Sequence, residues 1–205
     1  MYLVKTPWWL RALYPKLIWQ IPANEKIIYL SFDDGPHETA TNFVLDTLAK
    51  FNAKASFFCI GKNVLKYPTI YKQIIDEGHA VGNHTQHHAN GWEVSNELYF
   101  KEIDQAAALI KSNLFRPPYG RIKRAQINKI INNPYKIIMW SVLSGDFDLK
   151  LSPEACCNNV LNNAKSGSIV VFHDSAKAWE RMSYALPIVL AHFSNLGYRF
   201  KAIPN

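Results

Sequence analysis

Two hydrophobic periods alternate along the chain. Short apolar runs bounded by turn residues predict buried strands, and longer stretches with apolar positions three and four apart predict amphipathic helices. "KIIYLSF" (26–32) predicts a strand, "TNFVLDTLAKF" (41–51) a helix and "KASFFCI" (54–60) a strand. "NVLKYPTIYKQIIDEG" (63–78) predicts a helix kinked near Pro68 and stopped by Gly78. "HAVGN" (79–83) and "LFRPP" (114–118) predict short strands on either side of a helix over 95–112 that Ser95 caps. A helix over 124–133 and a strand over "KIIMWSV" (136–142) follow. Ser152-Pro153-Glu154 opens the next helix and Gly167 closes it; "SIVVF" (168–172), a helix over 180–197 and a last strand "YRFKAI" (198–203) complete the series.

Seven strands joined by six helices of this length imply a parallel sheet covered on its outer face. The fold expected is α/β, a distorted (β/α) barrel of about seven parallel strands, with a doubly wound open sheet as the alternative. A length of 205 residues, 48% apolar and 19% charged, suits one globular domain, and no repeat or Ser/Gly-rich linker divides it. That domain is expected over 26–205. Residues 1–25 are expected either to pack on it as a lid or to face a membrane, since Trp8, Trp9, Tyr14 and Trp19 stand among Lys5, Arg11 and Lys16. The same cations, with Pro7 and Pro15, break any signal-peptide or spanning stretch, so no clean leader is expected; the location is left open between the bacterial cell envelope and the cytoplasm.

The net charge of +7 comes from dispersed lysines without an aromatic-basic binding module, so no nucleic-acid partner is expected, and a monomer is. Cys59, Cys156 and Cys157 imply no disulfide framework.

In parallel barrels functional side chains gather at the carboxyl ends of the strands, and the polar residues of this chain fall there. Asp33-Asp34 follow the first strand, "NHTQHH" (83–88) the third, "RPPYG" (116–120) the fourth, "SGDFD" (144–148) the fifth and His173-Asp174 the sixth. Taken alone, Asp-Asp-Gly-Pro reads as a solvated turn. His84 and His88 are four apart, which on a helical turn would put both imidazoles on one face. With one carboxylate, two neutral imidazoles make a three-ligand shell that leaves a catalytic zinc an open position. His87 is expected to point away, and His79 to be a satisfied core histidine. The adjacent carboxylates then divide their work, one holding the cation and the other taking a proton from the attacking water, with Arg116 keeping that base ionised.

"SFDDGP", "HTQHH", "RPPYG", "GDF" and "VFH", in this order and spacing, resemble the five motifs of the polysaccharide deacetylase family, the NodB-like carbohydrate esterases, over roughly residues 26–203. The resemblance implies a distorted barrel that removes N- or O-acetyl groups from polysaccharides with a divalent metal, usually zinc, with cobalt, nickel or manganese as substitutes. It implies Asp33 as general base, Asp34, His84 and His88 as metal ligands, and Thr85 as the residue that steadies their loop. Arg116 is then the residue that orients the base, the backbone N–H of Tyr119 the oxyanion donor, and His173, with Asp146 as its charge partner, the acid for the leaving amine. Pro118, Tyr119, Phe147 and Val171 line the sugar pocket. Phe147 stands where many members carry Trp, Val171 where Leu is usual, and Leu143 where many have an acidic residue; these differences bear on substrate rather than on the catalytic set. Acetylated glucosamine polymers of the peptidoglycan or chitin type are the leading substrates, with acetylated xylan behind. A glycan-binding relative without turnover and a metal phosphoesterase are the alternatives.

Overall fold

The computed structural model describes residues 2–133 and 135–205; Met1 and Pro134 lie outside it. In chain order the elements are α1 (Trp8–Leu13), β1 (Ile27–Asp33), α2 (Ala40–Lys50), β2 (Ser56–Cys59), α3 (Gly61–Lys66), α4 (Pro68–Asp76), β3 (Ala80–Asn83), α5 (Asn96–Leu109), β4 (Leu114–Phe115), α6 (Arg124–Asn132), β5 (Lys136–Ile137), β6 (Val142–Leu143), α7 (Pro153–Leu161), β7 (Ile169–His173), α8 (Trp179–Asn195) and β8 (Arg199–Phe200). The sheet runs β5-β4-β3-β2-β1-β7-β6, with β8 against the start of β1, and every named pair is parallel.

Alternation along β1 divides the core. Ile28, Leu30 and Phe32 pack outward with α2 and α8, in one cluster with Val44, Leu48, Met182 and Val189. Ile27 and Tyr29 pack inward with Phe58, Leu114, Ile138 and Ile169. Both faces of the strand are buried, which is why it reads as a largely hydrophobic run; only Ser31 and Asp33, on the inward face, are polar, and both bond Arg116.

Two expected elements are corrected. The helix over 63–78 is two helices that meet at Tyr67, because Pro68 cannot continue α3 and instead opens α4 at its first position. The strand over 136–142 is split: Ile137 pairs with β4 at one edge of the sheet and Val142 with β7 at the other. One apolar segment therefore bends across the gap between the two edges, and no single neighbour gives it a continuous ladder.

The N-terminal segment fills that gap from outside. Leu143 N–H donates to Val4 O (2.8 Å), Thr6 N–H to Ser141 O (3.0 Å), Met139 N–H to Ile18 O (2.7 Å) and Ile21 N–H to Gly167 O (2.9 Å). Leu17 and Trp19 are buried with Tyr99, Phe115 and Met139. These residues pack along the barrel wall. α1 buries none of its residues. Among the described residues no helix is long and apolar enough to cross a membrane.

Candidate active site

Strand register sets the site. Asp33 lies opposite His173 across β1 and β7, and Cys59 opposite Asn83, so the loops that follow these strands open onto one rim. Asp33 ends β1 in extended backbone, whereas Asp34 has φ of 79°. A left-handed residue here turns the chain sharply, and Asp tolerates it better than most. The two adjacent carboxylates part company: Asp33 accepts a 2.6 Å bond from Arg116 inside the barrel, while Asp34 turns toward His84 and His88.

Arg116 has no exposed surface. Its guanidinium donates to Asp33 Oδ1, to Ser31 Oγ (2.9 Å) and to the carbonyls of Ile138 and Met139 (3.1 Å each), and it lies 4.0 Å from the centre of the Phe58 ring. Burial pushes the Asp33 carboxyl up, but the charge of Arg116, aided by His84 and His173, more than reverses this and holds it below the ordinary carboxylate value. A buried base thereby stays ionised.

The His84–His88 loop differs from the helical turn that their spacing suggested. Thr85 and His88 have positive φ, 64° and 61°, which no helix allows. Side chains replace helical bonds: Asn83 Oδ1 accepts from Thr85 N–H (2.8 Å), and Thr85 Oγ1 accepts from Ala89 N–H (2.9 Å). His87 points away, its backbone N–H and Nδ1 both on Glu102 of α5 (2.6 and 2.9 Å). His79 sits in the core and accepts from Ala55 N–H.

Asp34, His84 and His88 each offer a ligand atom within 4.8 Å of the others, and Asp34 Oδ1, buried, has no hydrogen-bond partner. It lies 3.2 Å from His88 Nε2 and 3.8 Å from His84 Nε2. These spans suit an ion with ligand bonds of about 2.0–2.2 Å. Burial drives His84 down to about 4 and also lowers His88, so both imidazoles are neutral, as ligands must be. His84 Nδ1 bonds the Arg116 carbonyl at 2.8 Å; a carbonyl only accepts, so Nδ1 carries the proton and Nε2 keeps its lone pair for a cation.

Across the rim, Asp146 Oδ1 holds His173 Nδ1 at 2.7 Å and its Oδ2 accepts from His173 N–H at 2.7 Å. Burial alone would lower the imidazole, but Asp146 overcomes it and His173 is pushed up to about 10. A charged imidazolium thus faces the site at neutral pH.

Tyr119 is 61% exposed in a left-handed turn, its ring 4.4 Å from that of His88. Phe147 stands edge-on to His173 at 5.2 Å. Pro118 and Val171 are buried. The sequence pattern gives Glu102 no role and Asp174 only a place on the rim. Glu102 shares the buried face of α5 with Tyr99, Ile103 and Ala106, and a carboxylate on such a face is a signal that it has a partner. Asp174 binds Gly35 N–H (3.1 Å) and the Thr41 hydroxyl (2.5 Å), and a Cβ at position 35 would come 2.0 Å from its Oδ2, so any side chain there would displace this carboxylate.

A parallel barrel that sets a cation site of two imidazoles and one carboxylate against an ionised base and a protonated imidazole defines a metal-dependent hydrolase. Within that class the chain belongs to the polysaccharide deacetylase family, whose profile matches residues 20–138. It is 37% identical to a peptidoglycan-N-acetylglucosamine deacetylase of Bacillus cereus, with 90% of each chain covered. It is 34% identical to a chitooligosaccharide deacetylase of Azorhizobium caulinodans, over 76% of this chain and 77% of that one. The crystal structure of the Bc1960 peptidoglycan N-acetylglucosamine deacetylase superposes with a TM-score of 0.88 at 32% identity, covering 97% of this chain and 95% of the other.

Proposed function

We propose that this polysaccharide deacetylase removes N-acetyl groups from the N-acetylglucosamine units of a peptidoglycan- or chitin-type glycan, with zinc as its preferred ion. The observation that carries the reading is the His173–Asp146 pair facing the cation site. An amide releases an amine, which leaves only when protonated, so a held imidazolium matters most for N-deacetylation. O-deacetylation of a xylan-like glycan, with its better leaving group, is the second reading.

Asp34, His84 and His88 would hold the ion, which would supply Lewis acidity to the site. Asp33 takes the proton of the attacking water, and Arg116 keeps it ionised and aimed. The Tyr119 N–H donates to the developing oxyanion. His173 then protonates the departing nitrogen while Asp146 fixes its tautomer.

The test is acetate release from N-acetylglucosamine oligomers, acetylated xylan and, as a control, phosphate release from phosphate esters. Asp33→Asn is expected to keep metal and lose about two or more powers of ten in turnover. Asp34→Asn and His88→Ala are expected to lose metal. Phosphate release without acetate release, or full metal content in the His88 variant, overturns the reading.

We further propose that the protein works at the cell envelope, with α1 lying on an anionic lipid surface. Trp8 is 74% exposed, Trp9 and Leu13 are exposed beside it, and Lys5 and Lys16 flank them. Sedimentation with vesicles containing phosphatidylglycerol, lost in a Trp8→Ser, Trp9→Ser variant, is the expected result; equal sedimentation of both proteins refutes it.

A further inference from the structure

Residues 2–6 run along the outer edge of β6. Lys5 bridges Val142 in antiparallel sense, and Leu143 N–H and Thr6 N–H bond across the pair. This added edge carries Tyr2, which lies outside the stretch matched by the family profile, up to the catalytic rim. There its ring packs on Phe147, centroids 5.0 Å apart and tilted by 60°, on the loop whose Phe147 ring in turn meets His173 edge-on. The Tyr2 hydroxyl donates to Asp148 Oδ2 at 3.2 Å. Burial and Asp148 push its phenol up to about 12, so the donor stays protonated. Gly145, with φ of 81°, leaves room for it: a Cβ at that position would stand 2.7 Å from the Tyr2 hydroxyl.

Phe147 is half-buried on a loop, where neither strand nor helix fixes its ring. Tyr2 supplies the missing backing. We propose that Tyr2 is a positioning residue for substrate specificity, holding Phe147 as an aromatic wall beside His173 against which a pyranose ring of the glycan stacks. The inference rests on the glycan deacetylase reading. It assigns Tyr2 a part in choosing polymer over small acetyl compounds.

The test compares the protein with Tyr2→Ala and Tyr2→Phe on two substrates, an N-acetylglucosamine tetramer and 4-nitrophenyl acetate, which has no pyranose ring to stack. Tyr2→Ala is expected to raise KM for the tetramer about two- to tenfold, the worth of one aromatic pair. Its kcat/KM on the nitrophenyl ester is expected to stay unchanged. Tyr2→Phe, which keeps the ring, is expected to recover most of the tetramer KM. An unchanged tetramer KM in Tyr2→Ala, or equal losses on both substrates, overturns the proposal. Calorimetric binding of a glucosamine tetramer separates the two readings. If the parent protein releases no acetate the deacetylase reading fails, and weaker tetramer binding by Tyr2→Ala still upholds the wall. Equal binding by both proteins removes the wall whatever the parent's activity.

Discussion

Arg116→Leu tests directly how the barrel keeps a carboxylate ionised at its centre. The substitution retains much of the apolar volume against Phe58 but leaves Asp33 buried without its cation. Breaking a buried ion pair from one side costs about 3–5 kcal/mol. The carbonyls of Ile138 and Met139, each now short of a donor, add about 1 kcal/mol apiece. The total of about 5–7 kcal/mol is a large part of the roughly 5–15 kcal/mol that holds a domain folded. Most of it is the cost of an unpaired charge, so adding Asp33→Asn to the leucine variant is expected to return about 1–3 kcal/mol, although the same change in the parent destabilises. Urea unfolding of the four proteins measures this as a double-mutant cycle. The pH dependence has a definite sign. In the parent the folded carboxyl is held low by Arg116 against burial, so its contribution is present above about pH 4 and is lost as pH falls through the lowered value. In the leucine variant burial acts without that opposition, the folded value rises, and protonation of Asp33 favours the fold. The gap between parent and variant therefore narrows on acidification. Additive substitutions, or a gap of constant size from pH 4 to pH 8, would refute the reasoning.

Three further predictions concern neighbouring groups. Glu102→Ala frees both bonds to His87 and is expected to lower metal affinity about 10–100-fold, as outer-shell losses do, measured by chelator competition; unchanged affinity would show that α5 does not hold the ligand loop. In the metal-free protein His173 is expected to stay charged up to about pH 10 by NMR titration, and in Asp146→Asn to titrate far lower; in the active enzyme His173→Ala should damage amide substrates more than activated esters, which leave without a proton. Burial pushes Asp174 up to about 8 against the pull of the Thr41 hydroxyl, so between about pH 4 and pH 8 the unfolded chain releases this proton first and stability falls as pH rises. Asp174→Asn is expected to flatten that slope in urea midpoints measured across the range, and an unchanged slope counts against it.

Much of the site was legible because its chemistry lies in short local strings that follow apolar runs. Asp33 and Asp34 mark the end of β1, and His173 the end of β7, as strand ends in a parallel barrel require. His84 and His88 do converge, but not on the helical turn that their four-residue spacing matches: the loop is built by Asn83 and Thr85 bonding to backbone, with positive φ that spacing does not encode. The run over 136–142 carried no mark of its division, since Ile137 and Val142 are equally suited to either edge and only the closure of the sheet assigns them to different ones. Glu102 and Asp174 act across long separations, one on the loop of β3 and the other on that of β1. Contacts of that kind leave only a charge on a buried face for a reader to notice.

The seam between β5 and β6 also orders the making of the molecule. Residues 4–21 are synthesised well before their partners Ile137, Met139, Ser141, Leu143 and Gly167. This segment must therefore wait, unpaired, until those residues have been made, and β1 waits longer for β7 and β8. Such distant pairings make folding slow relative to helical proteins of similar size. During that wait Trp19, buried in the folded protein, stands exposed close to Trp8 and Trp9, which stay exposed throughout. A partner that shields it during synthesis would raise the yield of folded protein, while one that binds it tightly would keep the barrel from closing.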